Sequence, residues 1–145
     1  MGIVEDLLAN PGLYVGIDSV SGADRRGVAR AVVAPLPGNA GVTLDYEVFN
    51  AERPESPRGH AEHTVIARLH SGAVVMVVAD TNAHSAAILR EGEPGVFEPS
   101  DDVPPYPMKV VVSVPEPGRI RHAWWYAAPG DEAVERDVSD LRLTS

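Results

Sequence analysis

The chain of 145 residues has no cysteine, and Lys109 is the only lysine in a basic set that is otherwise arginine. Without thiols there is no disulfide, no thiolate nucleophile and no cysteine-held zinc or iron–sulfur centre. Basic residues are scarce against acidic ones, 12 to 21, which leaves a formal net charge of -9. Nucleic-acid binding needs a basic face to meet phosphate, so that class is disfavoured, as is adhesion to an anionic membrane surface. The opening residues Met1 to Asn10 carry two acids and no base. Their apolar stretch is too short and interrupted for a signal peptide or a membrane span, and a cytoplasmic location is the default expectation. Catalytic signatures are missing as well. The sequence holds no Gly-x-Ser-x-Gly elbow, no phosphate loop, no Gly-x-Gly-x-x-Gly and no His-Glu-x-x-His. No catalytic residue and no metal ligand is therefore assigned.

What is present is an ordinary globular composition, with 44% hydrophobic residues and a mean hydropathy of -0.08. That length and apolar content suit one domain spanning 1–145 with one continuous core. Ile3, Val4, Leu7 and Leu8 fall at helical spacing, and Asn10-Pro11-Gly12 ends the pattern, which predicts one or two helical turns. Everything after it reads as β. Runs at 13–20, 27–34, 42–50, 60–69, 73–79, 84–90, 95–98, 108–114, 119–127 and 133–143 are apolar, β-branched or alternating, and turn residues separate them. Ser21-Gly22-Ala23-Asp24, Pro35 to Asn39, a loop with Pro54 and Pro57, His70-Ser71-Gly72, Thr81-Asn82, Pro115-Glu116-Pro117-Gly118 and Pro129-Gly130-Asp131 supply the turns. Pro99 to Pro107, with four prolines, reads as a loop. The expected architecture is an all-β, antiparallel up-and-down barrel of about nine or ten strands with a short N-terminal helix. Closure removes the exposed edges that so many strands would otherwise present.

Gly12-Leu13-Tyr14-Val15-Gly16 resembles the opening of the calycin barrels, the superfamily of lipocalins and fatty-acid-binding proteins. Those begin with a short helix or turn and then a Gly-x-Trp motif in the first strand, with Tyr14 here in the place of the tryptophan. Ala123-Trp124-Trp125-Tyr126 followed by Pro129-Gly130-Asp131-Glu132 resembles the closing hairpin of small bacterial calycin-like proteins. The resemblance implies that an arginine near the C-terminus, Arg142 or else Arg136, packs over the first-strand aromatic. It also implies a small apolar or amphipathic ligand held inside the barrel. The fatty-acid carriers in that superfamily grip a carboxylate through an Arg-x-Tyr pair, whereas Arg136 here is followed by Asp137 and Val138. Nitrobindin-type members hold haem through a histidine, for which only His63 or His122 could serve here, and their glycine-rich opening is not matched.

Side-chain alternation sorts the remaining candidates. His60-Ala61-Glu62-His63 places His60 and Glu62 on one face of a strand and His63 on the other, so the three cannot converge on a metal without a bulge. His63 shares parity with Ala61, Val65 and Ala67, which predicts that it faces the core and that His60 and Glu62 face solvent. On 119–127, Ile120, His122, Trp124 and Tyr126 share one face and are read as inward, with Arg121, Ala123 and Trp125 on the other. Val42, Leu44, Tyr46 and Val48 alternate inward on the third strand. The expected ligand-lining residues are thus Tyr46, His63, Met76, His122, Trp124 and Tyr126. The last strand is apolar on neither face, which fits a mid-strand bulge or a buried charged group meeting a ligand. Asp18, with Ser19 and Ser21, reads as turn chemistry. Three other readings remain open beside the carrier: a haem-binding barrel, a metal-dependent cupin-like enzyme, and a solid-core interaction domain that forms a homodimer through an exposed tryptophan face.

Overall fold

The computed structural model describes residues 2–20, 26–50, 59–81 and 85–144. The expected turn at 21–24, the loop of Pro54 and Pro57, Asn82 and His84 lie outside the described residues. One helix opens the chain, α1 (Ile3–Leu8), and ten strands follow: β1 (Gly12–Val20), β2 (Arg26–Pro35), β3 (Gly41–Asn50), β4 (His60–Arg68), β5 (Val74–Asp80), β6 (Ala86–Glu91), β7 (Val96–Pro99), β8 (Met108–Glu116), β9 (Arg119–Tyr126) and β10 (Val134–Leu143). Each strand pairs antiparallel with its sequence neighbours, and β1 also pairs with β10, from Tyr14 opposite Leu143 to Val20 opposite Asp137. The result is a closed up-and-down barrel, as the short connections required.

Glycine makes the closing seam tight. A Cβ built on Gly16 would stand 1.7 Å from the Asp140 carbonyl oxygen, so only glycine lets β1 and β10 approach this closely. Small inward residues recur next door on β2, where Ala29 and Ala31 are fully buried. They leave space for the larger side chains that reach in from opposite strands.

The helix closes one end. Ile3, Val4 and Leu7 are buried and belong to the barrel core, in contact with β2, β3, β4 and β8. On the outside, Arg68 pairs with Glu5 of the helix. The half of the barrel next to α1 is packed with side chains, among them Leu44, Ile66, Met76, Leu89, Phe97, Ile120 and Leu141, none more than 1% exposed.

Three expectations are corrected or decided by these positions. First, β4 has the opposite parity to that expected. Glu62, Thr64 and Ile66 face the interior, while the His63 side chain is 62% exposed and pairs with Asp45 on the outer surface. Ile66, the largest apolar residue of the strand, sits on the side that carries Glu62 and Thr64, and it sets the parity. Second, neither Arg142 nor Arg136 covers Tyr14. The Tyr14 hydroxyl donates to the Asn10 carbonyl at 2.6 Å, Arg142 lies opposite Val15 and pairs outside with Glu116, and Arg136 stacks on Tyr126 instead. Third, the register of β10 against β9 shifts between Glu135 and Asp137. That bulge explains the mixed faces of the last strand without a buried arginine.

Candidate binding site at the end opposite the helix

β1, β3, β5, β7 and β9 run away from α1, so their last residues and the first residues of the strands paired after them lie at the far end. From mid-barrel to that end a polar cluster points inward, beside apolar Val48, Val78, Ala87 and Met108. Asp18 comes from β1, Tyr46 from β3, His60, Glu62 and Thr64 from β4, His122, Trp124 and Tyr126 from β9, and Asp137 and Ser139 from β10. Alternation alone brings each of them inward once β4 has its true parity and β10 its bulge.

Two hydrogen-bonded groups make up the cluster. In one, the Asp18 carboxylate lies 3.1 Å from the Tyr46 hydroxyl and 2.8 Å from the Ser139 hydroxyl, and the two hydroxyls are in contact, so their two protons are shared among three close oxygens. Burial, with the nearby charge of Asp18, pushes the Tyr46 hydroxyl far above the ordinary phenol range, so it stays a donor. In the other, the Glu62 Oε1 accepts from the Trp124 indole N–H and meets His60 Nε2 at 2.7 Å. His122 joins the two, its ring stacked on Tyr46 at 4.9 Å between centroids and its Nε2 3.6 Å from Glu62 Oε2.

Position sets the protonation of the histidines. The His122 side chain is almost wholly enclosed, and that burial lowers its pKa, the Glu62 charge offsetting only part of the effect. His122 is therefore a neutral ring. For His60 burial works in the same sense, but the hydrogen bond and charge of Glu62, with help from Asp80 and Asp137, outweigh it and raise its pKa. Burial, and next the charge of Asp18, also raise the pKa of Asp137, which accepts from the Tyr126 hydroxyl at 3.4 Å.

Charge in this end is one-sided. Asp18, Glu62 and His122 are among the buried polar residues, and no arginine or lysine of the described residues is. A buried carboxylate without a fixed cation is costly unless donors surround it, and the set is incomplete. Glu62 Oε2 and Thr64 Oγ1, both buried, have no hydrogen-bond partner. Among the described residues, no group of three or more histidine and carboxylate side chains has the geometry to hold a metal ion. Haem does not fit the two histidines offered for it. His63 is outside the barrel, and His122 is packed between Tyr46 and Glu62.

No protein-family model matches the chain, and no curated protein matches it. Among solved structures, that of Rv2717c from M. tuberculosis superposes with a TM-score of 0.66 at 11% identity, over 97% of this chain and 98% of that one. The likeness is one of fold. It extends over the full barrel, and at such identity it transfers no residue roles.

Of the residues expected to line a ligand site, Tyr46, His122, Trp124 and Tyr126 come together at the polar end. Met76 is inside but belongs to the apolar layer next to α1, and His63 points away. Sequence reasoning missed Asp18, His60, Glu62, Thr64, Asp137 and Ser139. A signal existed for Asp18, which shares strand parity with Tyr14, and for Glu62, which shares it with Ile66. Asp137 and Ser139 likewise share parity with Leu141 on the C-terminal side of the bulge.

Proposed function

We propose that the protein binds a small amphipathic molecule at the end of the barrel opposite α1, as the calycin resemblance implies for the barrel as a whole. The observation that carries this reading is the polar cluster itself. A barrel with an apolar layer next to α1 has no packing need for Asp18, Glu62 and His122 inside, and their desolvation lowers its stability. That layer, with Leu44, Ile66 and Leu141, is wholly buried. The ligand sits against the rim, where Val48, Ala87, Trp124 and Tyr126 are partly buried against the core and the His60 side chain is 23% exposed. Burial of its apolar part would contribute roughly 25 cal/mol per Å².

Fluorescence tests this directly, because the two tryptophans lie on opposite faces of β9. Trp125 is outside, under Lys109 at 4.3 Å, so Trp125→Phe leaves Trp124 as the sole reporter of the interior. Titration with decan-1-ol is expected to shift its emission saturably. An emission unaltered by any medium-chain amphiphile overturns the proposal.

A second reading, association of two copies through the outer face of β1 and β2, is favoured by one observation. Leu13, Val15, Ile17, Val28 and Val32 are exposed there, side by side in register. Arg30 paired with Glu47 and Asp140 paired with Arg119 lie beside that patch, so a twofold copy can present opposite charges across it. Light scattering of wild type against Ile17→Lys tests this reading, which predicts a dimer that the substitution turns into a monomer; a monomeric wild type excludes it.

A further inference from the structure

Resting on the ligand-binding reading, we propose that the molecule held at this end is an amphipathic amine, its ammonium nitrogen received by the Glu62 carboxylate beneath the Trp124 and Tyr126 rings. The fatty-acid carriers that the sequence resembles would call for a cation inside the barrel. The described interior has the reverse, with Asp18 and Glu62 buried, Asp137 beside them, and no buried arginine or lysine. A fatty acid entering here would bring a further negative charge beside carboxylates that no buried arginine or lysine of the described residues offsets.

The unsatisfied atoms make the same distinction independently. Glu62 Oε2 is an acceptor, and Thr64 Oγ1 can accept as well; neither has a partner, and the Glu62 side chain is completely enclosed. The Thr64 hydroxyl can also donate and makes no distinction, but Glu62 Oε2 takes only a donor. A protonated amine carries N–H donors and no acceptor, whereas a carboxylate carries none. His122 Nε2 does not fill the role, since 3.6 Å from Oε2 is too far for a hydrogen bond. Oε1 of the same carboxylate already shows how nitrogen donors dock, holding the Trp124 indole and His60 at 2.7 Å.

The walls suit a cation too. Aromatic faces attract ammonium groups through their quadrupoles, and the Trp124 ring stands beside Glu62, its indole N–H bonded to Oε1. Asp80 adds negative charge near His60. Because Glu62 is covered and His60 above it is partly exposed, the entering nitrogen reaches Oε2 by turning the His60 ring aside.

The test compares three ligands of one chain length, decylammonium, decan-1-ol and decanoate, on the Trp125→Phe protein. Each is kept below its micelle concentration, at about 0.3 M salt to screen the general negative charge of the protein. Decylammonium is expected to bind at least about tenfold more tightly than decanoate, a difference of about 1.4 kcal/mol. Glu62→Gln should bring the ammonium-to-alcohol affinity ratio down toward one, and Asp137→Asn should lower it less. Circular dichroism confirms that each variant is folded, and Asp137→Asn carries the test if Glu62→Gln is not. If decan-1-ol binds and decanoate matches or exceeds decylammonium, the amine assignment is wrong while the binding site stands. An ammonium preference unchanged in the folded variants also overturns it, since the preference then comes from elsewhere. If none of the three binds, both proposals fall.

Discussion

Tyr46 and His122 carry the clearest consequences at the scale of single residues. Tyr46→Phe removes the hydroxyl shared by Asp18 and Ser139 and leaves the buried Asp18 carboxylate one donor short. A loss of about 1–3 kcal/mol is expected in urea unfolding; a variant as stable as wild type would mean that the network contributes nothing. His122 gives a pH signature. Its folded pKa lies below the ordinary 6.5 because burial disfavours the charged ring. The unfolded chain then takes up a proton below that pH which the folded chain refuses, so His122 makes stability fall with acidification. His60 acts in the opposite sense. Its folded pKa is raised, so its contribution is full below the unfolded pKa and is lost as pH rises through the folded one. His122→Gln should therefore flatten the acid-side fall of unfolding free energy relative to wild type, and an unchanged slope would contradict the neutral assignment. Neither role was legible in the sequence. Tyr46 was placed inward by the clean alternation of β3, but its partners lie on β1 and β10, far along the chain, and only closure brings them together.

Among elements, α1 and the β1–β10 seam hold the barrel shut. Leu7 is 1% exposed beneath the strands, and Leu7→Ala should cost about 2–5 kcal/mol by loss of burial and the cavity left behind. Gly16→Ala should be at least as damaging as an ordinary core overpacking, about 1–3 kcal/mol or more, because the contact is with backbone that cannot rotate away. Chemical denaturation measures both, and a Gly16→Ala protein of wild-type stability would show that the seam is looser than described. The helix and the run of strands were readable because each rests on local periodicity and turn chemistry. Parity was readable only where one face is plainly apolar, as in β3 and β9. In β4 the outer face carries Ala61, Val65 and Ala67, and the inner face carries Glu62 and Thr64 beside Ile66. That inversion hid His60, Glu62 and Thr64, and it arises because the polar cluster takes the places that core residues usually occupy. The β10 bulge shows the same limit: the mixed pattern announced an irregularity, and the shift at Glu135 and Asp137 resolved it.

At the scale of the whole molecule, the barrel is divided along its axis. One end is closed by an amphipathic helix over an apolar layer, and from mid-barrel to the other end carboxylates, histidines and aromatic rings gather on facing strands. On the proposed reading, recognition belongs to that second half and the apolar core to the first. The most direct measurement is a two-dimensional amide NMR titration with decylammonium. The account predicts saturable shifts confined to Val48, His60, Glu62, Trp124, Tyr126, Asp137 and their neighbours, with α1 unaffected. Shifts centred on Ile3, Val4, Leu7 and the strands around them, or no shifts at all, would contradict it.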